Sequence, residues 1–220
     1  MEKIVPEKPV LIMLYGFPGS GKTYFARQFC EEIRAAHLEM DRIRQELFEN
    51  PSYSKQESYA LGKILEYVVG EFIKAGVSVV CDMNAMRAGQ RRSLREVAKK
   101  NKAQTLLIWF QVDADTAFTR SSSRDKRRLD DRFAASYDVE QFKEQAAYMQ
   151  QPDPAEEPLV VSGKYAYASQ RSSVVKRLAD MHVVKPTSAV SKMVKPGLVN
   201  LVPFSPKSLD KQAKRTVVLR

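Results

Sequence analysis

The segment from 16 to 23, GFPGSGKT, carries residue types that bind phosphate and fits GxxxxGK[ST] at every fixed position. In such a loop, backbone N–H groups and a helix N-terminus surround phosphate oxygens, the lysine reaches the β- and γ-phosphates, and the hydroxyl binds magnesium. The glycine spacing does not fit a dinucleotide-binding loop. The predicted nucleoside triphosphate site therefore comprises Gly16, Phe17, Pro18, Gly19, Ser20, Gly21, Lys22 and Thr23.

An apolar run from Val77 to Cys81 ends in Asp82. A carboxylate at the C-terminal end of such a strand holds magnesium in nucleotide sites, directly or through water. We therefore predict that Asp82 is a metal ligand together with Thr23. Asn84, two residues further on, either hydrogen-bonds a substrate or shapes the turn.

A second carboxylate, Asp41, follows another short apolar segment, and Arg44 comes three residues later. At the start of a helix both would lie on one face. Asp41 could then take the proton from an attacking hydroxyl, and Arg44 could orient the acceptor or its phosphate. An ordinary N-cap aspartate with a solvated arginine is the equal alternative.

The segment from 120 to 132 contains six basic and three acidic residues. Arg120 and Arg124 are four residues apart, so we expect both on one helical face. Cations that approach a triphosphate from above and exclude water are typical of a mobile lid. We predict such a lid here, because a phosphate loop precedes it; a solvated arginine-rich surface is the alternative.

Another basic stripe follows Asp82 at near four-residue spacing. The sequence favours a solvated helix face for it and leaves a track for a nucleic-acid backbone open. The stripe has no interleaved aromatic residues, and the aromatic residues of the preceding helical region are predicted to be packing residues rather than platforms for base stacking. The stripe is Arg87, Arg91, Arg92, Arg95 and Lys99; the aromatic residues are Tyr53, Tyr59, Tyr67 and Phe72.

Short apolar runs alternate with longer amphipathic stretches, which predicts βαβ units and a three-layer α/β fold. His37 is expected in an edge region of the sheet. The predicted strands are 10–15, 37–40, 77–81, 105–112 and 159–161. The predicted helices are 22–33, 56–74, 87–100, 115–124, 139–150 and 172–179.

The chain has 220 residues, of which 44% are hydrophobic and 28% charged, so it can form one compact domain. Two isolated cysteines exclude a disulfide scaffold and favour a reducing cytoplasm. No apolar run is long enough for a membrane span or a signal peptide. We predict a domain at 1–182 and a tail at 183–220, whose eight basic residues and one acidic residue supply most of the formal net charge of +10.

The loop GFPGSGKT, the segment MDRIR, the strand end VVCDMN and the RxxxR lid together resemble P-loop kinases related to zeta toxins and bacteriophage polynucleotide kinase, an AAA-type ATP-binding kinase domain. The resemblance covers residues 10 to 182 and implies a five-stranded parallel sheet of order 2-3-1-4-5. It also implies that Lys22 and Thr23 bind ATP and magnesium, that Asp41 is the base, and that Arg44 contacts the acceptor. Arg120 or Arg124 would serve the lid. Many members have Asp-x-x-Asn where this chain has Asp82 and Asn84 one residue apart.

Two functions follow from these residues. The first is a cytoplasmic kinase that uses ATP and Mg²⁺ to phosphorylate a hydroxyl acceptor, which is a small metabolite, a nucleotide sugar or a nucleic-acid 5′-hydroxyl. The alternative is a nucleotide-dependent nucleic-acid-binding or regulatory ATPase module that acts through its basic tail. Both exclude a membrane partner and leave the oligomeric state open.

Overall fold

The computed structural model describes residues 3–84, 87–129 and 131–185. Five parallel strands form one sheet in the order β2-β3-β1-β4-β5, which confirms the predicted α/β fold and strand order. The strands are β1 Val10–Tyr15, β2 Ala35–Glu39, β3 Ser78–Asn84, β4 Gln104–Gln111 and β5 Leu159–Ser162.

Helices cover both faces of the sheet, so the fold has the three layers expected from the sequence. The helices are α1 Lys22–Glu32, α2 Met40–Leu47, α3 Lys55–Lys74, α4 Ala88–Lys100, α5 Ala114–Ser122, α6 Val139–Tyr148 and α7 Tyr167–Asp180, with a short 3-10 helix at Pro154–Glu156. None of the helices in the described part of the chain has the length and apolar character that crossing a bilayer requires.

The central strand β1 explains how one sheet supports two cores. Its six residues are all buried and alternate between the two faces. Val10, Ile12 and Leu14 pack with α1 and α7, whereas Leu11, Met13 and Tyr15 pack with α3 and α4. Because β1 and β3 are parallel neighbours, their C-terminal ends place the phosphate loop and Asp82 at the same edge.

Most element boundaries differ from the prediction by one to three residues, and α7 begins at Tyr167, five residues before its predicted start. The strand predicted through Met40 ends at Glu39, and Met40 begins α2, a helix of eight residues. The sequence predicts only a helix start near Asp41 at this place. Helix α5 ends at Ser122 rather than at Arg124. The hydroxyls of Ser121 and Ser122 donate to the carbonyl oxygens of Phe118 and Thr119, at 2.9 and 3.2 Å, and such local bonds compete with helix continuation.

The folded domain reaches slightly beyond the predicted boundary at 182. Val183 and Val184 are buried in the core, and the N–H of Glu7 donates to the carbonyl oxygen of Val183 at 2.8 Å. Apolar burial therefore places the first residues of the predicted tail in the domain. The remainder, from 186 to 220, lies outside the described residues.

Candidate active site

The loop between β1 and α1 is held in its path by backbone that only glycine tolerates well. Gly19 has a φ of +82°, and a Cβ on it would lie 2.2 Å from the carbonyl oxygen of Ala117. Gly16 and Pro18 are buried, and Gly21 caps α1 in the left-handed conformation. The phenyl ring of Phe17 packs on Phe142 of α6, with ring centroids 5.9 Å apart.

Lys22 folds back over this loop. Its Nζ donates to the carbonyl oxygens of Gly16 and Phe17, at 2.9 and 2.8 Å, and to the Oγ of the buried Ser20 at 3.4 Å. Burial lowers the pKa of Lys22 to about 8, against the opposing charge of Asp82. The amine therefore remains largely protonated at neutral pH and supplies a positive charge at the floor of the loop.

Acidic side chains gather where β2 and β3 end. Glu39 and Asp82 are register partners in the β2–β3 pair, and His37 Nε2 lies 3.4 Å from Asp82 Oδ2. His37 thus lies on the edge strand, as expected. Burial and the neighbouring Asp82 raise the pKa of Glu39 to about 7, and no sequence pattern indicates this shift.

Asp41 lies in the first turn of α2, as predicted. Burial raises its pKa, and the charge of Asp82 raises it further; Arg124, Arg44 and Lys22 act in the opposite direction. The aspartate is therefore within electrostatic range of the phosphate loop, the end of β3 and the residue that follows α5. A carboxylate with a raised pKa is a better proton acceptor than an unperturbed one.

Arg44 is not solvated. It is 5% exposed, forms a buried ion pair with Glu57 of α3, and lies over the ring of Tyr53 with 4.7 Å to the centroid. Burial alone would raise the pKa of Glu57, but hydrogen bonds from Ser52 and Arg44 outweigh it and lower this pKa. The reading of Arg44 as a solvated arginine is therefore wrong, and its contact with an acceptor stays a prediction.

A cleft of about 590 Å³ lies between the phosphate loop, the segment after α5 and the β5–α7 loop. Thr23, Arg120, Arg124 and Arg128 all line it. Arg128 belongs to the predicted lid segment but is not one of the predicted site residues. Together with Lys22 these side chains make the cleft strongly cationic, which suits a polyphosphate.

The two predicted lid arginines do not share a helical face, because α5 ends between them. Arg120 lies in the last turn of α5 and donates to the carbonyl oxygen of Gly163 at 3.0 Å. Arg124 lies beyond the helix over the ring of Tyr137, 5.7 Å from its centroid. Gly163 was also missed: a Cβ there would lie 2.3 Å from the carbonyl oxygen of Ser20.

The segment from 123 to 138, between α5 and α6, contacts α2. Gln45 Nε2 donates to the carbonyl oxygen of Phe133 at 2.7 Å, and Arg42 lies 5.8 Å from the centroid of the Phe133 ring. The segment therefore covers the helix that carries Asp41 and also lines the cleft through Arg124 and Arg128. Its movement as a lid stays a prediction.

The basic stripe on α4 is only partly a solvated face. Arg91 is fully buried, and its Nη2 lies 2.8 Å from Glu156 Oε1; Arg95 Nη1 lies 2.5 Å from the other oxygen of Glu156. Against the effect of burial, hydrogen bonds from Arg91 help lower the pKa of Glu156 to about 2. Two of the five cations are thus engaged in an ion-pair network within the fold.

The tyrosines before the stripe are predicted to be packing residues, but all three are exposed. Tyr59 and Tyr67 are each 69% exposed on α3, and Tyr53 is 48% exposed in the α2–α3 loop. Tyr59 and Tyr67 are eight residues apart on α3 and lie away from the buried stripe that Leu61, Leu65 and Val69 form. Only Phe72 packs against the core as expected.

The residues present fit a magnesium ion. Mg²⁺ in nucleotide sites takes one or two protein oxygens, and phosphates and waters complete the shell. Thr23 lines the cleft, and Asp82 is buried at the adjoining strand end, so these two can supply the protein ligands. Among residues 3–84, 87–129 and 131–185, no cluster of three or more His, Cys, Asp or Glu side chains offers a complete metal cage.

Solved structures share this fold. APS kinase CysC from Mycobacterium tuberculosis, in complex with AMPPNP and APS, is 18% identical, with a TM-score of 0.58 over 79% of this chain and 99% of that chain. Kti12 from Chaetomium thermophilum, in complex with ADP-AlF3, is 18% identical, with a TM-score of 0.60 over 77% and 97%. A gluconokinase from Sinorhizobium meliloti 1021 is 14% identical, with a TM-score of 0.57 over 82% and 95%.

No curated protein matches the chain by sequence. A family model described as an AAA domain does match it, over residues 11–152. That range contains the phosphate loop, Asp41, Asp82 and the arginines that line the cleft. The chain therefore belongs to the AAA_33 family of AAA domains.

Proposed function

We propose that the protein is a kinase that transfers the γ-phosphoryl group of ATP to a hydroxyl acceptor in the presence of Mg²⁺. The observation that carries the proposal is the convergence of three groups at one edge of the sheet. Burial dominates the pKa of both Lys22 and Asp41, and each of these groups also responds to the charge of the other and of Arg124. A phosphate-binding cation, a carboxylate and an arginine therefore lie within interaction range of one another.

These residues provide the parts of a phosphoryl transfer. The acceptor oxygen bonds to the γ-phosphorus, the bond from that phosphorus to the bridging oxygen breaks, and ADP leaves. Asp41 takes the proton of the acceptor hydroxyl. Lys22, Arg124 and Arg128 balance the negative charge of the transferred group.

Magnesium, when bound, would neutralise the β- and γ-phosphate oxygens. Thr23 and Asp82 would hold it, as the sequence predicts. Glu39 adds a further acidic group beside Asp82, because the two are register partners. The arrangement thus separates a cationic phosphate cleft from an acidic strand edge.

The comparisons support ATP as the donor. The similar APS kinase was solved with AMPPNP and APS, and the similar Kti12 with ADP-AlF3, so both hold an adenine nucleotide or its analogue. We infer the same class of ligand for this chain. The finer membership in the zeta-toxin and polynucleotide-kinase group rests on the sequence motifs alone, and so does magnesium.

The experiment follows labelled γ-phosphate from Mg-ATP in the presence of separate acceptors: nucleosides, nucleotide sugars, sugar acids and a 5′-hydroxyl oligonucleotide. Label on one acceptor, absent with Lys22→Ala, is the expected result. Label that reaches only inorganic phosphate with every acceptor would contradict the kinase proposal and favour an ATPase. Lys63→Ala, an exposed lysine of α3, is the matched control.

A regulatory module that acts through the basic tail predicts a different dependence. Removal of residues 186–220 leaves every described site residue in place. We therefore expect the truncated kinase to keep its transfer rate. A truncation that abolishes ATP-dependent nucleic-acid binding, in a chain that transfers no phosphate, would favour the module instead. The two free cysteines, Cys30 and Cys81, support a cytoplasmic location in either case.

A further inference from the structure

Two tyrosine–arginine pairs lie near Asp41, and neither tyrosine has a role in the donor site. In the first, Arg44 lies over Tyr53 at 4.7 Å from the ring centroid. In the second, Arg124 lies over Tyr137 at 5.7 Å. Tyr53 belongs to the α2–α3 loop and Tyr137 to the segment before α6, so the two tyrosines come from segments about 84 positions apart in the sequence.

Contacts between these segments bring the two pairs together. Gln45 and Arg42 of α2 both contact Phe133, four residues before Tyr137. Arg44 on the same helix carries Tyr53. The pKa of Tyr137 is raised by burial and then by Asp41, and Tyr53 adds to the shift. Tyr53, Tyr137 and Asp41 therefore belong to one neighbourhood.

Tyr53 is held in an unusual way for a residue that is half exposed. Its φ is +53°, a conformation that costs a bulky side chain strain and that is often retained for function. The loop is fixed next to it: the N–H and the hydroxyl of Ser52 both donate to Glu57 Oε2 at 2.7 Å. Glu57 in turn pairs with Arg44, which covers one face of the Tyr53 ring. With 48% of the residue exposed, the ring offers surface to a ligand.

The charges at this place are balanced. Arg44 is paired with Glu57, and the charge of Arg124 acts on Asp41 by lowering its pKa against the larger effect of burial. The pairs therefore offer aromatic surface rather than an excess of positive charge. Planar rings are what such surfaces bind, because stacking on a tyrosine is favourable for every nucleobase.

We propose that Tyr53 and Tyr137 form an acceptor subsite beside Asp41 that binds the base of a nucleoside or nucleotide, whose hydroxyl then faces the carboxylate. This inference rests on the proposed function, because it assigns the acceptor of that transfer. It narrows the acceptor to molecules with a planar base and excludes sugars and sugar acids that carry no base. The base is the element that is recognised, and a phosphate on the acceptor adds little.

The test measures equilibrium binding of four probes to the full chain, which is first saturated with Mg²⁺ and AMPPNP so that the donor site is occupied. The probes form two matched pairs: uridine with ribose, and AMP with ribose 5-phosphate. We expect uridine and AMP to bind at least about tenfold more tightly than ribose and ribose 5-phosphate, which carry no base. Tyr53→Ala and Tyr137→Ala should each weaken the binding of uridine about tenfold.

Conservative variants separate stacking from folding. Tyr53→Phe and Tyr137→Phe keep the ring and should keep the binding of uridine, and every variant should still bind AMPPNP. Tyr59→Ala is the matched control. It removes a tyrosine that is 69% exposed on α3 with Lys63 over its ring, and it should leave the binding of uridine unchanged.

Three results would overturn the inference. The first is that ribose and ribose 5-phosphate bind as tightly as uridine and AMP. The second is that the alanine variants bind uridine as tightly as the wild type does. A wild-type chain that binds AMPPNP but none of the four probes would also overturn it, while the proposed kinase would stand. Failure of the wild type to bind AMPPNP at all would instead remove the proposed function and this inference with it.

Discussion

The proposed donor side and the proposed acceptor side of the candidate site are built in different ways. The donor side is one contiguous loop, 16–23, whose shape depends on backbone conformation and on a lysine that bonds to its own loop. The acceptor side is assembled from α2, the α2–α3 loop and the segment 123–138, which are distant in sequence. Its contacts join residues as far apart as Gln45 and Phe133.

This difference shows which part of the molecule is open to variation. A phosphate loop tolerates few changes, because a side chain at Gly19 would strike the backbone of α5. Side-chain pairs such as Arg44 with Tyr53 can be exchanged without moving the sheet. We therefore expect the reaction to be set by the donor side and the choice of acceptor by the acceptor side.

Within the donor side, the largest effect is expected for Lys22→Ala. Loss of a cation that stabilises the transferred group should lower kcat about 10²- to 10³-fold, with the fold unchanged. Steady-state kinetics and circular dichroism measure the two. A change in the KM for the acceptor alone, with kcat unchanged, would contradict the assignment of Lys22 to the donor side.

Gly19→Ala tests whether backbone shape holds the donor side. The left-handed φ alone should cost about 1–3 kcal/mol of unfolding free energy, and the 2.2 Å approach to Ala117 adds to it. Urea denaturation measures the loss. The matched control, Gly62→Ala within α3, meets nothing within 4 Å and should stabilise the protein by about 0.5–1 kcal/mol. Equal effects at both glycines would contradict this explanation.

Glu57→Gln tests the ion pair that holds the acceptor side. It leaves the buried Arg44 without its carboxylate partner, so we expect a melting temperature several degrees lower and a higher KM for the acceptor. Thermal denaturation and initial rates measure both. Glu66→Gln, which breaks an exposed pair with Lys63 on the same helix, should change neither.

Arg124→Ala should shift the pH dependence of transfer. Burial and Asp82 raise the pKa of Asp41, and Arg124 lowers it, so removal of the arginine raises that pKa further. A base works when deprotonated, so activity is lost as the pH falls through its pKa, and the acid limb of kcat/KM should move to higher pH. Arg127→Ala, in the same segment but paired with Asp125, should leave the limb in place. A limb that moves to lower pH with Arg124→Ala would contradict the assignment.

The smallest effect is expected for Gln45→Ala. Loss of the 2.7 Å hydrogen bond to Phe133 should loosen segment 123–138 on α2 and raise the acceptor KM about threefold, while the KM for ATP stays constant. Gln56→Ala on the exposed start of α3 is the control. Equal increases in both KM values would mean that the segment serves the donor side instead.

The same contrast explains what the sequence could predict. The phosphate loop and Asp82 follow from short contiguous patterns, and the sheet order follows from the resemblance that those patterns carry. Asp41 was found because a strand end and a helix start meet there. These features depend on local backbone and on the shared edge of parallel strands.

The rest depends on partners that are remote in the chain. Arg91 reads as a solvated cation until Glu156, 65 residues away, is seen to pair with it. Arg44 depends in the same way on Glu57. Arg120 and Arg124 were placed on one face because the serine run was read as helix, whereas its hydroxyls bond back to the backbone and α5 ends. Gly163 had no signal except its place after a short strand.

The most direct test of the account compares Asp41→Asn with Asp115→Asn, an exposed aspartate in the first turn of α5. Transfer of labelled γ-phosphate from Mg-ATP and equilibrium binding of AMPPNP are measured on both. The account predicts that Asp41→Asn abolishes transfer and retains nucleotide binding, whereas Asp115→Asn changes neither. Normal transfer by the Asp41→Asn protein would remove this residue from the mechanism and contradict the proposed joining of donor and acceptor sides at its carboxylate.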